Sequence, residues 1–240
     1  MESRRHHRAR VVTVLAVALV LFAAVGCSWV DRETGQPVAR VLLVGDSVMG
    51  QASPHIVAKY HAVGIEARSI GGGGTGPLGG QKRWATLLTQ ELATFDADIV
   101  IFEACCSYPD NSATSTPANY VNTAGVEVLP DTDLMFAEWE QAERELIQIA
   151  RDAGASPWWV SLPPGNEITR FYGTLFPERM ARIDAMVPTL GVPLLDWRSA
   201  VMTHPNVDTL RFGDGIHYTA TGNQFLADFT FSATLRPAST

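Results

Sequence analysis

Short apolar runs alternate with longer amphipathic stretches along most of this 240-residue chain. Runs rich in β-branched residues predict strands at 41–44, 65–70, 98–104, 157–162 and 192–195. Apolar residues at helical spacing between them predict helices at 51–63, 81–95, 134–153 and 178–190. This alternation of strands and helices predicts one three-layer α/β/α domain around a mostly parallel five-stranded sheet.

The first 26 residues differ from the rest and predict a signal peptide or membrane anchor. Four arginines lie between positions 4 and 10, ahead of an apolar run at 11–26 that only Thr13 interrupts. That run is shorter than the roughly 20 residues a membrane span needs. It ends in Ala24-Val25-Gly26-Cys27, which resembles a bacterial lipobox with alanine in place of the usual leucine. The resemblance implies lipidation of Cys27; an uncleaved anchor and a secreted form are the alternatives, and all three place the domain outside the cytoplasm.

Residues 27–38 are mostly polar and contain Gly35 and Pro37, so we predict a tether there and a folded domain at 39–240. Four arginines and Glu2 lie in the leader, so its removal changes the formal net charge from −7 to −10. An acidic domain without a basic cluster argues against a nucleic-acid partner. Phosphate-rich substrates are disfavoured for the same reason.

The first predicted strand runs directly into Gly45-Asp46-Ser47. Glycine permits a tight turn, and a serine at this point can cap the following helix. In open α/β sheets, ligands bind at the carboxyl ends of strands. The triplet is too short to be specific, so Ser47 has two interpretations at this stage: a helix cap or a nucleophile.

A second polar stretch near the other end of the chain contains Asp214 and His217. A serine hydroxyl needs a base, and the base needs an acid that fixes its tautomer. The Asp-x-x-His spacing lets one short turn bring carboxylate and imidazole together. Asp196 and His204 are rivals for the two roles, although Asp196 suits a turn cap better and His204 has no closely spaced acid.

Together, Gly45-Asp46-Ser47 and Asp214-Gly215-Ile216-His217 resemble the first and last blocks of the SGNH, or GDSL-type, hydrolases. The resemblance implies a flavodoxin-like fold and a serine esterase without cofactor or metal. It implies Ser47 as nucleophile, His217 as general base and Asp214 as the orienting acid. It also implies an oxyanion hole formed by the Ser47 N–H and by a glycine after the second strand, either Gly72 or Gly73.

The sequence departs from this family after the third strand, where members usually carry Gly-x-Asn-Asp and its asparagine completes the oxyanion hole. Here the chain reads Glu103-Ala104-Cys105-Cys106-Ser107. We expect Asn111 to supply the missing donor, with Asn122 as an alternative. Cys106 or Ser107 could also occupy the position as a weaker donor.

With Cys27 lipidated, Cys105 and Cys106 are the remaining cysteines in an oxidising compartment. A vicinal disulfide and two buried free thiols are both compatible with the sequence. A zinc site is disfavoured because there is no second cysteine pair.

These patterns predict an extracytoplasmic serine esterase or deacetylase, tethered to the membrane through its N-terminal lipid or anchor. Its substrate would be an O-acyl ester, above all an O-acetyl ester, of a carbohydrate or a small lipid. Two alternatives stay open: an O-acetyltransferase of cell-envelope polysaccharide using the same site, and a non-catalytic binding lipoprotein on a degenerate hydrolase scaffold, suggested by the missing asparagine block.

Overall fold

A computed structural model describes residues 28–73, 75–78, 81–105, 120–122, 124–129, 131–163, 170–171 and 174–238. The strands are β1 Trp29–Asp31, β2 Arg40–Gly45, β3 Glu66–Gly71, β4 Ile99–Phe102, β5 Tyr120–Val121, β6 Glu127–Val128, β7 Ser156–Ser161, β8 Arg170–Phe171, β9 Thr174–Leu175, β10 Leu194–Asp196 and β11 Leu235–Pro237. The helices are α1 Ser47–His61, α2 Gln81–Phe95, α3 Asp133–Asp152, α4 Phe176–Met186, α5 Trp197–Met202, α6 Val207–Leu210 and α7 Ala220–Thr234, with a 3-10 turn at Val187–Leu190.

The central sheet has five strands in the order β3-β2-β4-β7-β10, and every pairing within it is parallel. This confirms the predicted five-stranded parallel sheet, and the strand order is the flavodoxin-like one. Gly45 at the end of β2 pairs with Gly71 at the end of β3. The segments that follow these two strands therefore leave the sheet at the same edge.

The hydrophobic core lies on both faces of the sheet. Residues Val41 to Val44 of β2 are at most 1% exposed, and all four residues of β4 are fully buried. Burial on both faces explains why the strands are continuous apolar runs rather than alternating patterns. Four tryptophans fill the layers between sheet and helices: Trp84, Trp139, Trp159 and Trp197.

The predicted tether at 27–38 is partly wrong, because most of it packs as part of the domain. Strand β1 pairs antiparallel with β11 at the end of the described chain. Val30, Asp31 and Val38 are buried, and the Trp29 ring lies edge-on to Phe231 with centroids 4.9 Å apart. A three-residue strand carries too little periodicity to be recognised, and its partner lies some 200 positions away.

Helix α1 also differs from its prediction, since it begins at Ser47 rather than at 51. Asp46 caps it, and Pro54 lies inside it. The predicted leader and Cys27 lie outside the described residues. Among the helices the structure describes, none combines the length and the apolar character that crossing a membrane requires.

Candidate active site

Ser47 is the first residue of α1, directly after β2 and the cap residue Asp46. The other early N–H groups of this helix have acceptors: Asp46 Oδ1 accepts from Val48 at 2.9 Å, and Glu103 Oε2 accepts from Met49 at 3.1 Å. The Ser47 N–H has no hydrogen-bond partner within the described residues. The N-terminus of α1 therefore leaves the Ser47 N–H available as a donor beside the Ser47 hydroxyl, where an oxyanion would form.

His217 and Asp214 lie beside this serine although they are far away in sequence. His217 Nε2 is 2.9 Å from Ser47 Oγ, and His217 Nδ1 is 2.7 Å from Asp214 Oδ2. Asp214 Oδ1 accepts the N–H groups of Ile216 and His217, at 2.9 and 3.0 Å. The structure thus brings the three predicted residues together as a continuous Ser–His–Asp chain of hydrogen bonds.

The loop that carries this histidine is closed at its base. Arg211 and Tyr218 form an isolated bridge, and the Phe212 N–H donates to the His217 carbonyl at 2.9 Å. Next to it, Gly222 packs so closely on Leu210 that an added Cβ would lie 2.0 Å from the Leu210 carbonyl oxygen. This close approach seats α7 against the start of the loop and fixes where His217 projects.

Electrostatics favour an ionised Asp214. Partial burial by itself would raise the pKa of this carboxyl, but the hydrogen bonds from His217 and from two backbone N–H groups outweigh it and lower the pKa below its usual value. An ionised acceptor at Nδ1 keeps the proton on that nitrogen. The lone pair of His217 Nε2 is then directed at the Ser47 hydroxyl, as a general base requires.

The glycine run after β3 lies against the serine turn. Gly71 has φ +111°, and a Cβ there would lie 2.0 Å from the Gly45 carbonyl oxygen. The Gly72 N–H donates to that same oxygen at 3.0 Å, which corrects the expectation that Gly72 serves the oxyanion. Gly73 is the better-placed glycine, because an added Cβ would lie 3.5 Å from Ser47 Cβ and its N–H has no acceptor within the described residues.

A buried pair of acids behind the serine was missed by the sequence reasoning. Glu103 and Asp46 are both fully buried, and a carboxyl oxygen of one lies within 4.8 Å of a carboxyl oxygen of the other. Burial first, and then the charge of Asp46, raise the pKa of Glu103 well above its usual value. The one available signal was an acidic residue directly after the buried apolar run of β4.

Asp46, Glu103 and Cys105 offer ligand atoms within 4.8 Å of one another, the one such metal-like group among the described residues. Their chemistry does not suit a metal ion. Cys105 is disulfide-bonded and so offers no thiolate. Asp46 Oδ2 accepts the Cys105 N–H at 3.1 Å, and Glu103 Oε2 accepts two backbone N–H groups, so the protein's own donors already occupy these oxygens.

The rival residues have structural roles. Asp196 Oδ1 accepts from the Ser199 N–H and from the Ser161 hydroxyl, so this residue caps α5. His204 accepts the Asn206 N–H and packs edge-on to Phe225. Asn122 donates its amide to Glu138 at 2.6 Å, and its Oδ1 accepts the Ala124 and Val126 N–H groups, so this side chain is held in its own turn. Cys106, Ser107 and Asn111 lie outside the described residues.

Comparison with known proteins gives a fold. A protein from Slackia heliotrinireducens that is described as an SGNH hydrolase superposes on this chain with a TM-score of 0.58 and 19% sequence identity. The superposition covers 80% of this chain and 97% of that protein. A lipase/acylhydrolase from Enterococcus faecalis gives 0.57 at 14% identity, over 84% and 99%. The catalytic domain of peptidoglycan O-acetyltransferase A from Streptococcus pneumoniae gives 0.50 at 14%, over 82% and 93%. The chain therefore has the SGNH-hydrolase fold, with a Ser–His–Asp triad at the carboxyl edge of its sheet.

Sequence comparison adds little to this. No family model matches the chain. A stretch of 70 residues is 40% identical to urease accessory protein UreD of Herpetosiphon aurantiacus. The stretch is 29% of this chain and spans only 23% of the length of that relative.

Proposed function

We propose that this protein is an extracytoplasmic serine esterase that hydrolyses O-acyl esters, with O-acetyl groups on carbohydrate as the preferred class. The observation that carries the proposal is the unbroken Ser47–His217–Asp214 hydrogen-bond chain. It lies next to two backbone N–H groups, those of Ser47 and Gly73, that have no acceptor within the described residues. A nucleophile, a base and an oxyanion site are the three parts that ester hydrolysis needs.

Each step uses a group in this arrangement. Ser47 Oγ attacks the ester carbonyl while His217 Nε2 takes the hydroxyl proton, and the N–H groups of Ser47 and Gly73 stabilise the negative oxygen. His217 then gives the proton to the leaving alcohol, which departs and leaves an acyl-serine. Water attacks that acyl group with His217 again as base, and the carboxylic acid is released as Ser47 is regenerated.

The first test is turnover of p-nitrophenyl acetate by the full chain, beside Ser47→Ala and His217→Ala. We expect each variant to lose about 10³-fold or more in kcat. The retained fold of each variant is checked by its thermal unfolding. A wild type that turns over the ester no faster than Ser47→Ala would contradict the esterase proposal. A non-catalytic binding lipoprotein would then be the favoured function.

The location outside the cytoplasm is supported by the arginine-rich leader and by the disulfide-bonded state of Cys105, since disulfides persist in oxidising compartments. Lipidation of Cys27 predicts that the wild type sediments with membranes and incorporates a palmitate analogue. Cys27→Ser is expected to lose the label. Equal labelling of both proteins would speak for an uncleaved anchor or for lipid at another residue.

A second candidate is acyl transfer to a sugar hydroxyl. The specific observation in its favour is the fold shared with the Streptococcus pneumoniae O-acetyltransferase domain. The same acyl-serine would then be attacked by a sugar hydroxyl instead of water. Product analysis with an acetyl donor and chitooligosaccharide as acceptor separates the two: acetylated sugar in excess of free acetate indicates a transferase.

A further inference from the structure

The turn that carries Ser47 is held by the side chain of Glu103. Its Oε2 accepts the N–H groups of Asp46 and Met49, at 3.2 and 3.1 Å, so one oxygen spans the two sides of the nucleophile. A Cβ at Gly45 would lie 2.7 Å from the same oxygen, so glycine at that position leaves room for the carboxyl. Glu103 directly follows β4, the strand next to β2.

Asp46 completes the arrangement from the other side. Its Oδ1 accepts the Val48 N–H at 2.9 Å, and its Oδ2 accepts the Cys105 N–H at 3.1 Å. The two acids therefore satisfy the N–H groups of residues 46, 48 and 49 and leave that of Ser47 without an acceptor among the described residues. Selecting one donor out of four consecutive backbone N–H groups is what an oxyanion site on a helix N-terminus requires.

Two carboxylates so close together and fully buried do not both ionise, because burial and mutual repulsion disfavour the second charge. Burial and the charge of Asp46 hold the pKa of Glu103 well above its usual value, so Glu103 is the member of the pair that keeps its proton. Among the described residues, the titratable groups that face Glu103 are Asp46, from the turn between β2 and α1, and Tyr218, from the loop before α7. Neither supplies a positive charge that would stabilise an ionised Glu103.

We propose that Glu103 is a positioning residue for Ser47: as a neutral acid whose Oε2 accepts the Asp46 and Met49 N–H groups, it fixes the first turn of α1 so that the Ser47 N–H points to the oxyanion. This inference rests on the proposed esterase function, since it concerns how that same site is built. Glu103 does not touch the substrate and acts through the backbone of its neighbours.

The test compares Glu103→Gln with Glu103→Leu in ester hydrolysis by the full chain. Glutamine keeps the function of the neutral acid, because it is uncharged and its oxygen can accept the same two N–H groups. Its kcat should stay within about threefold of the wild type. Leucine fills the space without an acceptor or donor, and its kcat should fall by about 30-fold or more with little change in KM, because the nucleophile is misplaced.

Glu143 provides the matched control, because it is another fully buried acid but lies on α3. Glu143→Gln and Glu143→Leu should leave kcat per folded molecule unchanged. If Glu103→Gln loses activity as severely as Glu103→Leu, the group acts as an ion and the proposal fails. An unchanged kcat in Glu103→Leu also overturns it.

An infrared difference spectrum of wild type against Glu103→Gln, in D₂O at pH 7, adds a readout that does not depend on turnover. A protonated carboxyl band that disappears in the variant supports a neutral Glu103, and carboxylate bands alone contradict it. Exposed Glu145 gives the reference, because Glu145→Gln should remove carboxylate bands.

Should Glu103→Leu fail to fold, the kcat of Glu103→Gln and the protonated-carboxyl band decide the question. A wild type that turns over no faster than Ser47→Ala would contradict the proposed esterase function. An active wild type that lacks the protonated-carboxyl band would contradict only the proposed role of Glu103.

Discussion

Asp214 makes three hydrogen bonds with a single loop: two from backbone N–H groups and one with the ring of His217. Its charge therefore both shapes the loop and selects the tautomer of the histidine. A neutral amide at this position keeps much of the shape but presents the ring with the wrong proton arrangement. The carboxylate matters here through its charge more than through its contribution to folding.

Asp214→Asn is expected to lower kcat by about 10³- to 10⁴-fold while thermal unfolding changes little. The kcat and the thermal unfolding of both proteins check this. An Asp214→Asn variant with wild-type turnover would show that the histidine does not need its acid partner.

Gly73 lies next to Ser47, a proximity that the sequence alone does not show. Gly73→Ala adds a methyl group at ordinary contact distance from Ser47 Cβ, so the fold should be retained. The methyl crowds the space beside the attacking oxygen, and we expect kcat/KM to fall by about tenfold or more. Gly50→Ala is the control, since a Cβ there meets nothing within 4 Å. Equal losses in both variants would contradict a specific position for Gly73.

Helix α3 contains an acid that opposes folding at high pH. Glu143 is fully buried, and burial raises its pKa to about 8, against the hydrogen bond from Trp139, which lowers it. Its folded pKa thus lies above the ordinary value of 4.5. As the pH rises from 4.5 to 8, the unfolded chain releases this proton and the folded chain keeps it, so stability decreases across that window.

Glu143→Gln removes this penalty while keeping an acceptor for Trp139. We expect the free energy of unfolding to rise more at pH 8 than at pH 5, with a difference of up to about 3 kcal/mol between the two. Urea unfolding at the two pH values measures it. Glu145→Gln, on the exposed side of the same helix, should show no such difference. A pH-independent effect of Glu143→Gln would mean that the buried acid is ionised in the folded state.

At the scale of the whole molecule, β1 and β11 join the two ends of the described chain. They contribute burial of Val30 and Val38 and the contact of Trp29 with Phe231. A chain that begins at Ala39 loses all of this and should be less stable than one that begins at Ser28, by at least about 3 kcal/mol. Guanidinium unfolding compares the two.

Ester turnover per folded molecule should be equal in these two chains. Strand β1 contacts residues just before the start of β2, whereas Ser47 lies after the opposite end of β2. If the two chains have equal free energies of unfolding, residues 28–38 act only as a tether. Reduced turnover in a fully folded shorter chain would mean that β1 influences the serine turn through β2.

The amino-acid sequence by itself determined the sheet, the alternation of layers and two of the site's segments. Strands buried on both faces need continuous apolar runs, such as Val41 to Val44, and those runs are local in sequence. The Gly45-Asp46-Ser47 turn and the Asp214–His217 spacing are local for the same reason, since each is a short segment that must adopt one conformation. The helix bounds were less well predicted, because the cap of α1 depends on the Asp46 side chain.

Only the tertiary structure decided what depends on residues far apart in the chain. The choice between Gly72 and Gly73 depends on the Gly45 carbonyl, which takes the Gly72 N–H. The inclusion of β1 depends on β11, and the role of Glu103 depends on N–H groups more than 50 positions away. No periodicity or motif encodes such pairings, because they form only when the parallel sheet brings the ends of β2, β3 and β4 to one edge.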